Sequence, residues 1–168
     1  MRSQLPVIRP MHPGDVEALW RLFHRAVHAR AIRDYSAAQC AVWAPHHPTA
    51  QQRAAWRNRL LANQPWVIEW QGDAAGFADL QPDGWIDQFF VDPGVRGQRL
   101  ADHLMQALLH RAEQRRLPYV QADVSLSAEA FFRRHGFALC FRQVVRREGI
   151  AFRNARMRRA FDIGDGLR

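Results

Sequence analysis

Residues 91–105 read VDPGVRGQRLADHLM. Trp85–Val91 (WIDQFFV), which ends inside this stretch, is rich in β-branched and aromatic residues, the composition of a strand. From residue 100 the pattern changes, and Leu100, Leu104, Leu108 and Ala112 recur at helical spacing on one face. The polar segment Val95–Ala101 (VRGQRLA) therefore lies where a strand gives way to a helix. The first N–H groups of a helix have no partner within it, and the helix dipole adds about half a positive charge there. An anion at that corner satisfies both. Gly97 lets the backbone approach such a ligand closely, and Arg96 and Arg99 add full charges. The spacing is neither a Walker A loop nor GxGxxG, so phosphate-loop and dinucleotide readings fail. Two alternatives stay open from these residues: an anion corner, or a surface turn with incidental arginines.

The rest of the chain narrows the class. A length of 168 residues with 48% hydrophobic content suits one domain, residues 1–168, with a frayed tail at 162–168. The longest apolar runs fall far short of the ~20 residues that cross a bilayer. The opening MRSQLPVIRP has no apolar signal region, so a cytoplasmic location is expected. Cys40 and Cys140 form no CxxC pair and read as two reduced thiols. The net charge is +8, and all 24 basic residues are arginine. High basicity is a footprint of nucleic-acid binding, but these arginines are scattered along the chain, which favours attraction for a phosphate-rich small molecule.

Hydrophobic periodicity and turn chemistry predict the order β-α-α-β-β-β-α-β-α-β-β. A first strand covers 5–9, and a helix opened by Asp15 runs to about residue 31. Residues 32–48 read as a loop with a helical turn near 36–42, followed by a helix capped by Thr49. Strands at 65–70, 74–80 and 85–91 are separated by Gln71-Gly72-Asp73 and Gln81-Pro82-Asp83-Gly84, both hairpin chemistry. After the helix from residue 100 come a strand at 119–124, a short helix at 127–135 capped by Ser127, and strands at 138–147 and 150–161 split by Glu148-Gly149. The fold class is α+β, with a mixed sheet of six to seven strands and about four helices in an α/β/α sandwich.

With these elements in place the chain resembles the GNAT superfamily of N-acetyltransferases. The family signature [QR]-x-x-G-x-[GA] falls on Arg96-Gly97-Gln98-Arg99-Leu100-Ala101, after a strand ending Phe89-Phe90-Val91-Asp92-Pro93. A second family pattern, A-x-x-F-[YF]-x-x-x-G-F, falls on Ala128–Phe137. The likeness covers nearly the whole chain, and Tyr35-Ser36 and the Trp-Ile-Asp strand point to a small bacterial single-domain branch. It implies acetyl-CoA as co-substrate, with the diphosphate at Arg96, Gly97, Gln98, Arg99, Leu100 and Ala101 and pantetheine along Phe89, Phe90 and Val91. Two departures stand out. Arg99 occupies the signature's central glycine, and Phe132 stands where many relatives place a tyrosine that protonates the leaving thiolate.

The implied chemistry is direct attack of a primary amine on the thioester. Alkyl amines have pKa values near ~10, so a base acting through water helps. Asp87 is the candidate, on the same side of its strand as Phe89 and Val91; Asp79 on the neighbouring strand is the weaker one. A thiol with pKa near ~8.5 leaves without obligatory acid help. Tyr35 is the candidate acid, against a simpler role as a core or lid residue, and Trp43 is either lid packing or an acceptor contact. His24 and His28 are spaced as helical metal ligands can be, but neither an HExxH glutamate nor a third ligand accompanies them. A packed pair is expected, with no metal, and His46-His47 suggests no mechanism. The acceptor is expected to be a small-molecule or peptide amine, with a homodimer left open and neither membrane nor nucleic acid as partner. The alternative is a catalytically weak domain of the same fold that binds CoA as a sensor or adaptor.

Overall fold

Two tight turns set the sheet registers. Gln71 and Gly72 (φ 55° and 88°), and Glu148 and Gly149 (φ 49° and 79°), take the paired left-handed geometry that joins antiparallel strands with the natural twist. The first closes β2 (Trp66–Trp70) on β3 (Asp73–Ala78), and the second closes β6 (Ala138–Arg147) on β7 (Ile150–Ala160). The computed structural model describes residues 5–95 and 97–162. Among them, β1 (Val7–Pro10), β2, β3 and β4 (Phe89–Val91) form one antiparallel sheet in that order. β5 (Tyr119–Ser125), β7 and β6 form a second antiparallel sheet.

The two sheets meet at one place. Trp85 bridges Gln121 in parallel sense, the Ile86 amide donates to Gln121 O at 2.9 Å, and the Gln121 amide donates to Gly84 O at 2.9 Å. Gly84 has φ +86°, and a Cβ on it would lie 2.4 Å from Tyr119 O, so only glycine lets the strands approach this closely. Past this junction β4 pairs with β3 and β5 with β7, which opens a gap between them. The strand expected over 85–91 begins only at Phe89. The Asp87 amide donates to the Asp79 carboxylate at 2.8 Å instead of to a ladder carbonyl, which breaks regular pairing.

Side-chain alternation sorts the core into two layers. Ile68 and Ala78 face a cluster with Leu104, Leu108, Val120 and Phe132, beneath α4 (Leu100–Gln114) and α5 (Glu129–Arg134). Their neighbours Val67 and Phe77 face the opposite cluster, with Leu19, Phe23 and Leu60 from α1 (Val16–Arg30) and α3 (Ala50–Asn63). The helical turn expected near 36–42 is a full helix, α2 (Ala37–Trp43), so the described residues contain five α-helices rather than four. Reciprocal capping boxes at Ser36/Gln39 and Thr49/Gln52 open α2 and α3. Two expected caps differ. The Asp15 carboxylate accepts from the His12 amide (2.7 Å) and from Arg9 (2.7 Å) rather than capping α1. Ser127 lies within a 3₁₀ turn, Leu126–Ala128, and caps nothing. The expected tail beyond Asp162 lies outside the described residues.

Candidate active site

The gap between β4 and β5 is a cleft with three regions. In the antiparallel pair β3–β4 the Asp79 amide donates to Gln88 O (3.1 Å) and the Asp92 amide donates to Ala75 O (2.8 Å). Backbone groups alternate sides along a strand, so residues 88, 90 and 92 face β3, while the N–H and C=O groups of Phe89 and Val91 face the gap. Phe90 contributes its ring, packed 4.9 Å from Phe23 and 5.6 Å from Phe77 and bordering the cleft.

At one end lies the N-terminus of α4, lined by Arg30, Arg33, Gly97, Arg99, Ala101 and Ser127. Arg96 lies outside the described residues, and Gln98 is exposed. Arg99 adopts φ 51°, ψ 31°, the left-handed conformation a glycine would take without cost. Its side chain is exposed and donates to Asp102 at 3.0 Å. Asp102 also bonds His135 at 2.9 Å, which ties α4 to the end of α5. Leu100 is buried and anchors the helix start in the core.

The middle region is lined by Val27, Phe89, Val91, Ser125, Phe131 and Phe132. Phe132 is 4% exposed and packs its ring edge-on to Phe89 and Phe137, so it is a wall of the cleft. Ser125 borders both the middle region and the far end.

The far end encloses about 170 Å³ among Trp43, Trp56, Arg59, Asp87, Phe132 and Arg147. Arg59 grips Asp87 with both arms of its fork (2.6 and 2.5 Å), and Asn63 adds a bond of 2.7 Å. Burial pushes the Asp87 carboxyl up, but the Arg59 bonds and charge, with Asn63, overcome it and hold Asp87 below the usual aspartate range. Asp79 behind it is fully buried. Burial drives its pKa up to about 6, against the bonds it accepts from the Asp87 amide and Asn63. Arg147 is an exposed residue whose guanidinium leans over the cleft wall, 5.6 Å from the rings of both Trp43 and Phe152, and the protein around its head and then Arg59 lower its pKa.

Of the two readings of Tyr35, the acid and the core residue, its position is that of the core residue. It is 6% exposed, behind the cleft wall, and its hydroxyl donates to Arg153 O (2.6 Å) and accepts from the Leu126 amide (3.1 Å). Burial raises its pKa. A phenol held by two backbone groups is a structural pin between the α1–α2 connection and the second sheet. Sequence reasoning missed Arg30, Arg33, Arg59, Ser125 and Arg147. Each comes from an element distant in sequence, and nothing in its neighbours distinguishes it from other arginines or serines.

An acetyltransferase (GNAT) domain model matches residues 31–159. The chain belongs to the GNAT acetyltransferase family. It is 31% identical over 151 residues to the uncharacterized N-acetyltransferase YafP of Escherichia coli K12, covering 90% of this chain and 93% of that protein. A GCN5-related N-acetyltransferase from Rhodopseudomonas palustris superposes with TM-score 0.86 at 28% identity, over 96% of this chain and 99% of that one. At 18% identity and TM-score 0.66 the fold is also that of Salmonella typhimurium YncA, solved with its cofactor acetyl-CoA, over 98% and 99% of the two chains. This GNAT member is accordingly an acetyl-CoA-dependent N-acetyltransferase. Among the described residues no helix is long and apolar enough to cross a membrane.

Proposed function

We propose that the protein moves an acetyl group from acetyl-CoA to the primary amine of a small acceptor that also carries an anionic group. The observation that carries this reading is the cleft's continuity: it leads from helix N-terminal amides, past the free backbone edge of β4, to Asp87 and Arg147. The diphosphate is taken by the opening amides of α4 with Gly97, Gln98, Ala101 and the charge of Arg96, and Arg30 and Arg33 add positive potential across the gap. The bond from Arg99 to Asp102 holds its side chain at the edge of that corner. Pantetheine pairs with Phe89 and Val91 in the manner of an added strand, with Phe90 and Leu100 supporting the wall.

The amine enters between Asp87 and Arg147. Asp87 attracts the ammonium, and the proton leaves through water. The amine nitrogen then attacks the thioester carbonyl, a C–N bond forms, the C–S bond breaks, and the thiolate departs and takes a proton from water. A thiol of pKa ~8.5 tolerates this without the missing tyrosine, and Ser125, which borders the cleft, is the candidate donor to the sulfur. Asp79 supports Asp87 through its amide and Asn63, and Tyr35 acts as a positioning residue. Among the described residues Arg147 has no carboxylate partner, since Asp87 is committed to Arg59. A guanidinium at the cleft wall with no carboxylate partner is suited to an anion. The 170 Å³ volume admits a small molecule or a single chain terminus.

The test is thiol release from acetyl-CoA across a panel of amino carboxylates, amino phosphonates and simple amines. Acidic amines are expected to turn over best. Asp87→Asn should cut kcat about 10²–10⁴-fold, and Arg147→Ala should raise KM for acidic amines alone. Undiminished turnover in Asp87→Asn removes this carboxylate from the reaction, and a preference for polyamines removes the anionic acceptor.

A further inference from the structure

Away from the cleft, the fold supplies the third ligand that the sequence lacked beside His24 and His28. Both lie on one face of α1, one turn apart. His46, in the segment between α2 and α3, stands against them. Ring centroids are 4.4 Å apart for His24–His28, 4.9 Å for His24–His46 and 4.2 Å for His28–His46. One nitrogen from each ring lies within 4.8 Å of the others.

We propose that His24, His28 and His46 form a zinc-class metal site that staples the α2–α3 segment onto α1. Two further observations support it. His28 Nε2 is 2.8 Å from Ala44 O. As the N–H tautomer it donates to that carbonyl and leaves Nδ1 with a free lone pair, the outer-shell arrangement by which metal-bound histidines are oriented. His24 Nε2 is sealed from solvent and has no hydrogen-bond partner among the described residues, a state that costs free energy unless something fills it.

Three imidazoles suit zinc, copper or nickel and do not suit magnesium or calcium. Tetrahedral zinc with bonds of about 2.0–2.1 Å needs ligand nitrogens about 3.3 Å apart. The present spacing reaches that through small rotations, chiefly of the exposed His46. The consequence for the cleft runs through Trp43, three residues before His46, which lines both the middle and far regions. Metal binding therefore fixes the wall against which the acceptor packs. The site itself is independent of the acetyl-transfer reading.

The experiment is zinc titration of the metal-free full chain by calorimetry, with hydrogen exchange of the segment spanning 43–49. One equivalent should bind, raise Tm and slow exchange in that segment. His46→Ala, at an exposed position, should keep the metal-free Tm and weaken zinc binding more than about a hundredfold, since even partners that orient a ligand are worth roughly ten- to a hundredfold. His47→Ala, the adjacent control, should bind as the parent does. Absence of one-to-one binding overturns the proposal. So does affinity unchanged in His46→Ala, or a loss that follows His47 instead, because the ligands would then lie elsewhere.

Discussion

Asp79 and Asp87 lie side by side yet are held in opposite directions, and the difference is one of partners. Asp87 faces an arginine fork, so its charged form is favoured. Asp79 is shut from water and has no arginine among its bond donors, so burial prevails over the bonds it accepts and its neutral form is favoured. Its folded pKa of about 6 lies above the ordinary aspartate value of 3.8. The unfolded chain therefore ionises first as pH rises, and the stability contributed by protonated Asp79 is present below about pH 4 and lost between about 4 and 6. That loss is on the order of 2–3 kcal/mol. The carboxylates held low by arginines, such as Asp87 and Glu129, give slopes of the opposite sign. They are common to parent and variant and cancel in the difference. Urea titrations of the parent and Asp79→Asn at pH 4, 6 and 7.5 should show the gap moving in the variant's favour between the first two and staying level after that. A gap that does not move across this range would mean that Asp79 is already ionised at pH 4. None of this is visible along the chain, because Arg59 is 28 residues from Asp87 and sequence spacing does not report which helix side chain reaches which strand.

At the scale of elements, the parts written in local chemistry were legible and the parts written in long-range pairing were not. Gln71-Gly72 and Glu148-Gly149 announce their hairpins because both positions of such turns need φ > 0. Thr49 announces α3 because its hydroxyl and Gln52 complete a capping box. Helix α2 was reduced to a turn because seven residues carry too little periodicity, and its stability comes from Cys40 packed in the core and the cap at Ser36. The splitting of the sheet was invisible, since Gly84 reads as an ordinary turn glycine although its task is to let β5 pass close by. Gly84→Ala puts a methyl 2.4 Å from Tyr119 O at a left-handed φ, which should cost about 2–4 kcal/mol. Urea unfolding measures this directly. A loss under about 1 kcal/mol would show that the junction moves aside easily and does not set the cleft.

Across the whole molecule, the two sheets share the parallel contact at residues 84–86 and 121, and the cleft separates them from there on. In the proposed reading acetyl-CoA lies along it against β4 of one sheet and Ser125 and Phe132 beside the other, and so adds a tie between two sheets whose backbone contact lies at one end. This surface is assembled only in the folded chain, so binding stabilises that state by mass action. At a concentration a hundred times Kd the gain is about 2.7 kcal/mol, or about 5–11 °C in Tm for a domain of this size. The net charge of +8, carried wholly by arginine, contributes attraction for the diphosphate that salt screens. The rise in Tm at fixed ligand should therefore shrink between 50 and 500 mM salt, and Arg96→Glu should remove most of it. Hydrogen exchange should slow in β4 and in the opening turn of α4 together, because both grip the same molecule. Double-stranded DNA at equal phosphate concentration should protect neither segment, since the arginines are scattered along the sequence and not gathered into one basic run. Protection by DNA that acetyl-CoA fails to match would place the basic surface, and not the cleft, at the centre of this protein's function.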